Sequence, residues 1–114
     1  MFKWFKEKGM SAVRGTCKFN IQLNTKTMIS VANRVDNKMM SSGGNYEKFD
    51  TIEIMKAAQS LFSDIRLGVS NGISIDEVEH SIIRPILAEE KMSLFTKKIM
   101  EDAIANMRKE LESA

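Results

Sequence analysis

Thr16-Cys17-Lys18-Phe19-Asn20-Ile21-Gln22-Leu23 alternates polar and apolar residues at every step. Read with the period of two that an extended backbone imposes, it places Cys17, Phe19, Ile21 and Leu23 on one face and Thr16, Lys18, Asn20 and Gln22 on the other. The pattern predicts a β-strand, and the fold class turns on it. A lone strand leaves its backbone donors and acceptors without partners, so it needs a second strand. Two arrangements supply one. In the first, Met28 to Val31 is a strand, and a loop at Asn24 to Thr27 closes a hairpin within the chain. In the second, the strand pairs with its copy from another subunit to form a two-stranded antiparallel ribbon.

Working outward, Asn24 and Thr25 are both residues that cap helices, and Met28, Val31, Ala32, Val35 and Met39 then recur at helical spacing. This predicts a helix over about 25–40 and favours the ribbon. Ser41-Ser42-Gly43-Gly44-Asn45 reads as a loop running to about Phe49, because adjacent glycines lose the most backbone entropy on ordering. Asp50 with Glu53 has the spacing of a capping box ahead of the apolar stripe Ile54, Met55, Ala58, Leu61, Phe62 and Ile65, which predicts a helix over about 51–67. Gly68 and Ser70-Asn71-Gly72 end that helix, and Ser74 with Glu77 caps a third. The third is expected to stop near Arg84, since Pro85 lacks an amide donor, and a last helix to run from Ile86 to Glu112. The predicted class is mainly α, with an N-terminal β-strand pairing across a homodimer and followed by C-terminal helices. The alternative is α+β with an internal N-terminal hairpin.

With 43% hydrophobic and 28% charged residues, the chain has the composition of a folded domain, not a disordered one. At 114 residues it is short enough to leave apolar surface poorly covered, which predicts self-association. One cysteine, Cys17, excludes an internal disulfide framework. No stretch reaches the roughly 20 apolar residues that cross a bilayer, and Met1 to Met10 lacks the apolar run of a secretory signal. A reduced, cytoplasmic setting without stable membrane insertion is expected. Phe2, Trp4 and Phe5 among Lys3, Lys6 and Lys8 have the composition of a short interfacial anchor, although about nine residues hold a membrane weakly without a second signal.

The net charge of +2 hides a division: residues 1–48 carry nine Lys or Arg against three acidic residues, and the remainder carries eight against twelve. Such asymmetry points to a basic half that meets a polyanion. The chain divides accordingly into a basic arm (1–15), a strand–helix–helix region (16–70) and a helical C-terminal region (71–114) suited to oligomerisation or partner binding.

The arm, the strand Lys18-Phe19-Asn20-Ile21-Gln22-Leu23 and the two helices after it resemble, over about residues 14–66, the ribbon-helix-helix DNA-binding domains of the MetJ and Arc repressor class. The resemblance implies a homodimer whose ribbon enters the major groove of duplex DNA, with Lys18, Asn20 and Gln22 reading base edges and Phe19, Ile21 and Leu23 in the core. Lys3, Lys6, Lys8 and Arg14 would contact the DNA backbone in a salt-sensitive, sequence-independent way. It implies a sequence-specific repressor or a plasmid or phage accessory factor, acting by occupancy and needing no cofactor.

Catalytic constellations fail on inspection. His80 and Cys17 are single, so a zinc site of Cys and His cannot be assembled from one chain. His80, following Glu77 and Glu79, reads as a solvated surface group, and Cys17 as a small core residue. Aligning Gly72 with the invariant glycine of a calcium loop puts Leu67, Val69 and Val78 where carboxylates must stand. Gly43-Gly44 lacks the Gly-Lys-Ser of a phosphate loop. The expectation is a non-enzyme. The second functional class is an adaptor or inhibitor that engages a partner protein through the methionine-rich apolar faces of residues 86–111.

Overall fold

A computed structural model describes the backbone of residues 2–43 and 48–113 and the side chains of residues 11–43 and 50–113. The octet from Thr16 to Leu23 is helical, in the interior of a 40-residue helix α1 (Phe2–Ser41). Among the described residues there is no strand, so neither the ribbon joining two copies nor the internal hairpin is present.

The reason lies in two positions. Periods of 2 and 3.6 both return to the same face after four residues, so Cys17 and Ile21 satisfy either reading. Phe19 and Leu23 separate them. Cys17 and Ile21 are 3% and 0% exposed, whereas Phe19 and Leu23 are 61% and 53% exposed. The buried stripe continues through Thr25, Met28, Ala32 and Val35, steps of three and four that only a helix places on one side. A helix also satisfies its backbone internally, which removes the need for a partner strand. Thr25, expected near a helix start, is mid-helix, and its buried hydroxyl donates to the Ile21 carbonyl at 2.7 Å.

α2 (Lys48–Ser70) runs antiparallel to α1. Lys38 pairs with Asp50 at 3.1 Å, Arg34 with Glu53 at 3.0 Å, and Asn24 donates to Asp64, so successive partners move in opposite directions along the two helices. Asp50 stands in the first turn of a helix that begins at Lys48, two residues before the predicted cap. Gly68 lets the helices close. A Cβ there would lie 3.3 Å from Ile21 Cδ1 and 3.2 Å from Ile73 Cδ1.

The α2 terminus is a Schellman motif: Ile73 N–H donates to Gly68 O at 3.0 Å, Gly72 N–H donates to Val69 O at 3.1 Å, and Gly72 takes φ 98°. Ser74 Oγ then accepts from Glu77 N at 3.0 Å. A π-helical segment (Glu77–Ile83) leads straight into α3 (Arg84–Glu89). The helix therefore does not stop at Arg84; it widens. Pro85 has no N–H and its ring crowds the carbonyl four residues back, and the wider turn, in which Arg84 N–H reaches Glu79 O, accommodates it. The predicted continuous helix 86–112 is broken instead at Glu90, which is extended, and Ser93 caps α4 (Leu94–Glu112) by accepting from Thr96 N at 3.2 Å.

The four segments run up, down, up and down. α4 is anchored at its start by buried Thr96, whose hydroxyl donates to Asn33 Oδ1 at 2.6 Å, while Asn33 Nδ2 donates to Lys91 O at 3.0 Å. One apolar cluster, from Cys17 and Ile21 on α1 to Met100, Ile104 and Met107 on α4, holds the elements together.

Candidate functional site: the groove between α2 and α4

α4 is held very differently on its two sides. Towards the π-helical segment it is latched by charge. The buried Glu79 carboxylate accepts from Arg84 Nε at 3.1 Å and from Arg108 Nη1 at 3.0 Å, and Arg108 also reaches Asp76 and Glu112, each at 2.7 Å. Arg84 forms a two-pronged pair with Glu101, its Nη2 lying 3.1 Å from Oε2. That hydrogen bond holds the Glu101 carboxyl below the usual carboxylate range and raises the Arg84 guanidinium.

Towards α2 the packing is open. A cavity of about 110 Å³ lies between the two helices, floored by Met28, Leu61, Ile65, Ile83, Met100 and Met107. Its walls are Ala58 and Phe62 on α2 and Ala103 and Asn106 on α4, and Ala58, Phe62 and Ala103 stay half-buried. Asn106 is the one polar residue lining it. At one end Arg66 lies over the Phe62 ring, 4.4 Å from its centroid, and its Nη2 is 3.5 Å from Glu110 Oε1, an exposed bridge across the groove.

Size decides what the cavity can hold. Small-molecule and cofactor sites run to about 300–1,000 Å³, and an apolar cavity of about 150 Å³ takes benzene. This one has room for a single apolar side chain from something lying in the groove. Methionine suits such a floor, because its unbranched, polarisable thioether repacks around different shapes.

The α4 wall falls inside the 86–111 region expected to engage a partner, although Ile86 is buried in the core. From sequence the α2 wall reads as ordinary core. Its signal was width: the stripe from Ile54 to Ile65 is broader than one helix neighbour can cover, and Met55 is correspondingly exposed.

Of the residues expected to contact DNA, the described Lys18, Asn20 and Gln22 do not share one face. On a helix Lys18 and Gln22 share a side one turn apart, whereas Asn20 projects from the other. Lys18 is engaged within the bundle by Glu77 at 2.7 Å. Arg14 lies against the Gly72 turn, its Nη1 3.7 Å from where a Cβ would sit. The side chains of Lys3, Lys6 and Lys8 lie outside the described residues. His80 is exposed, with Nδ1 3.9 Å from Glu79, and among the described residues no three His, Cys, Asp or Glu side chains gather as a metal site. No known family, curated protein or solved structure matches this chain.

Proposed function

We propose that the chain is a non-enzymatic interaction module whose α2/α4 groove receives an amphipathic helix of a partner protein. The observation that supports it is the apolar, methionine-floored groove left between α2 and α4 above a cavity of one side chain's volume. Helix-in-groove recognition requires this shape: apolar anchors at i, i+3, i+4 and i+7 lie along the floor, and one of them fills the cavity. Arg66 and Glu110 then act as a polar rim, exchanging their mutual bridge for contacts with the partner's flanking charges.

Selection of a displayed library of amphipathic helical peptides, followed by methyl NMR of the methionines, tests this. Enriched peptides are expected to shift the Met28, Met100 and Met107 methyl resonances, and Ala103→Arg, folded by circular dichroism, to weaken them at least about tenfold. Peptides that leave those methyls unmoved, or bind the Ala103→Arg protein equally well, overturn the assignment.

A further inference from the structure

α1 is longer than anything it packs against. At about 1.5 Å per residue its 40 residues reach about 60 Å, close to the full 63 Å length of the molecule, whereas α2, with 23, reaches about 35 Å. The end of α2 meets α1 at Cys17, whose Cβ lies 3.6 Å from where a Gly68 Cβ would sit, and the turn that follows meets Arg14. The helical backbone continues from there towards Phe2, past the end of α2, and Ser11, Ala12 and Val13 are all exposed. Phe2–Val13 therefore forms a projection of about 18 Å. A helix so short is marginal in water unless something packs on it. Its sequence joins Phe2, Trp4, Phe5 and Val13 to Lys3, Lys6 and Lys8, with Glu7 its one acidic residue.

We infer that the helix received by the α2/α4 groove is this projection from a second copy of the chain, an inference that rests on the groove reading above. Length, position and charge each select that occupant. From Ala58, in the cavity wall, to the end of α2 at Ser70 is also about 18 Å, so a projection entering from that end reaches the cavity. The groove mouth at Arg66 and Glu110 lies towards the end of α2 that packs near Cys17, so mouth and projection stand at the same end of the molecule. Two copies set end to end therefore exchange projections, each filling the other's groove, and a two-fold arrangement of this kind closes on itself. The α4 wall is bordered by exposed Asp102, one turn from both Ile99 and Asn106, and by Glu110, whereas Arg66 on the α2 wall is already tied to Glu110. That acidic border complements the three lysines of the projection. Folding back onto the groove of its own chain would require α1 to break near Gly15, where the helix is continuous.

Sedimentation equilibrium of the full chain, read together with the emission of Trp4, the sole tryptophan, tests the inference. A dimer is expected, with Trp4 emission moving to the blue as concentration rises and the projections become covered. Ala103→Arg in the groove wall, and the double change Phe2→Ser with Phe5→Ser in the projection, are each expected to weaken dimerisation at least about tenfold while circular dichroism shows the bundle still folded. Asp102→Lys is expected to weaken it less, by an amount that shrinks as salt is added. Helical peptides selected on the groove are expected to dissociate the dimer. A chain that stays monomeric while those peptides bind overturns the inference and leaves the groove reading standing; a monomer that binds none of them overturns both. A dimer that Ala103→Arg or the double change leaves intact also overturns the inference. So does a Trp4 shift that is independent of concentration, the signature of a projection folded onto its own chain.

Discussion

α1 and α4 are built on the same plan and end in opposite situations. Each buries a stripe at steps of three and four: Cys17, Ile21, Thr25, Met28, Ala32 and Val35 in α1, and Thr96, Met100, Ile104 and Met107 in α4. Each also carries apolar residues beyond its stripe. In α4, apart from exposed Leu94 at its start, the surplus residues Ile99 and Ala103 adjoin the stripe, and Ala103 lines the wall of the groove. In α1 the surplus residues, Phe19 and Leu23, stand on the far side from the core. A surplus next to the core makes a concave site for an inserted element. One opposite the core makes a convex surface turned to solvent. Charge follows the same division, since α1 has eight basic residues against two acidic ones, whereas α4 balances Lys97, Lys98, Arg108 and Lys109 with Glu101, Asp102, Glu110 and Glu112.

The largest effect should come from the two residues that separate a helix from a strand. Ile21→Ala empties a fully buried site and should cost about 2–5 kcal/mol, whereas Phe19→Ala should cost under about 0.5 kcal/mol. Urea denaturation of both variants measures the difference. Equal losses would return both residues to one face and break the helical assignment.

Glu79→Ala tests the other half of the comparison, the charged latch that holds α4 on its closed side. The variant removes a buried acceptor of two guanidinium donors, and hydrogen bonds to charged groups are worth about 1.5–3 kcal/mol. A loss in that range by thermal denaturation is expected, with Arg66→Ala, on the open side, costing under about 1 kcal/mol because its bridge to Glu110 is exposed. Comparable losses would mean that α4 is held equally on both sides.

These contrasts also mark where the sequence was legible. Four of the helical stretches could be read from spacing, as could the Gly72 turn and the Ser74 cap, because local backbone chemistry alone sets them. The octet from Thr16 to Leu23 misled because its exposed positions happen to be apolar at Phe19 and Leu23, and exposure is a tertiary fact. Pro85 signalled a disturbance correctly, but whether a helix breaks or widens there depends on the packing of buried Ile82, Ile83 and Ile86 on either side. The break at Glu90 carries no Gly or Pro; its only local mark was Ser93 three residues before Thr96, a cap without its acidic partner. The groove was half visible, since the α4 wall lay in the expected partner-binding region while the α2 wall looked like core.

Ala58→Leu should move stability and binding in opposite directions. Ala58 lines the cavity, so a larger side chain there occupies the space reserved for a partner's anchor. A gain of about 0.5–2 kcal/mol in thermal stability, with loss of the groove-selected peptides, is expected. Destabilisation together with unchanged peptide binding would show that the cavity belongs to the core's own packing and not to the site.

The smallest effect concerns pH and belongs to the latch. Arg84's hydrogen bond lowers the Glu101 carboxyl below its unfolded value, so the unfolded chain binds this proton more readily than the folded one. The resulting stability is fully present above the unfolded carboxylate pKa of about 4.3 and is lost as pH falls through the lower folded value. Glu101 is exposed and screened by solvent, so the contribution should resemble that of a surface pair, under about 1 kcal/mol. Glu101→Gln should therefore flatten the acid limb of a plot of stability against pH while leaving its shape above pH ~6 unchanged. An acid limb identical in the two proteins would show that Arg84 is held by Glu79 alone, and that the latch on α4 rests on the buried carboxylate.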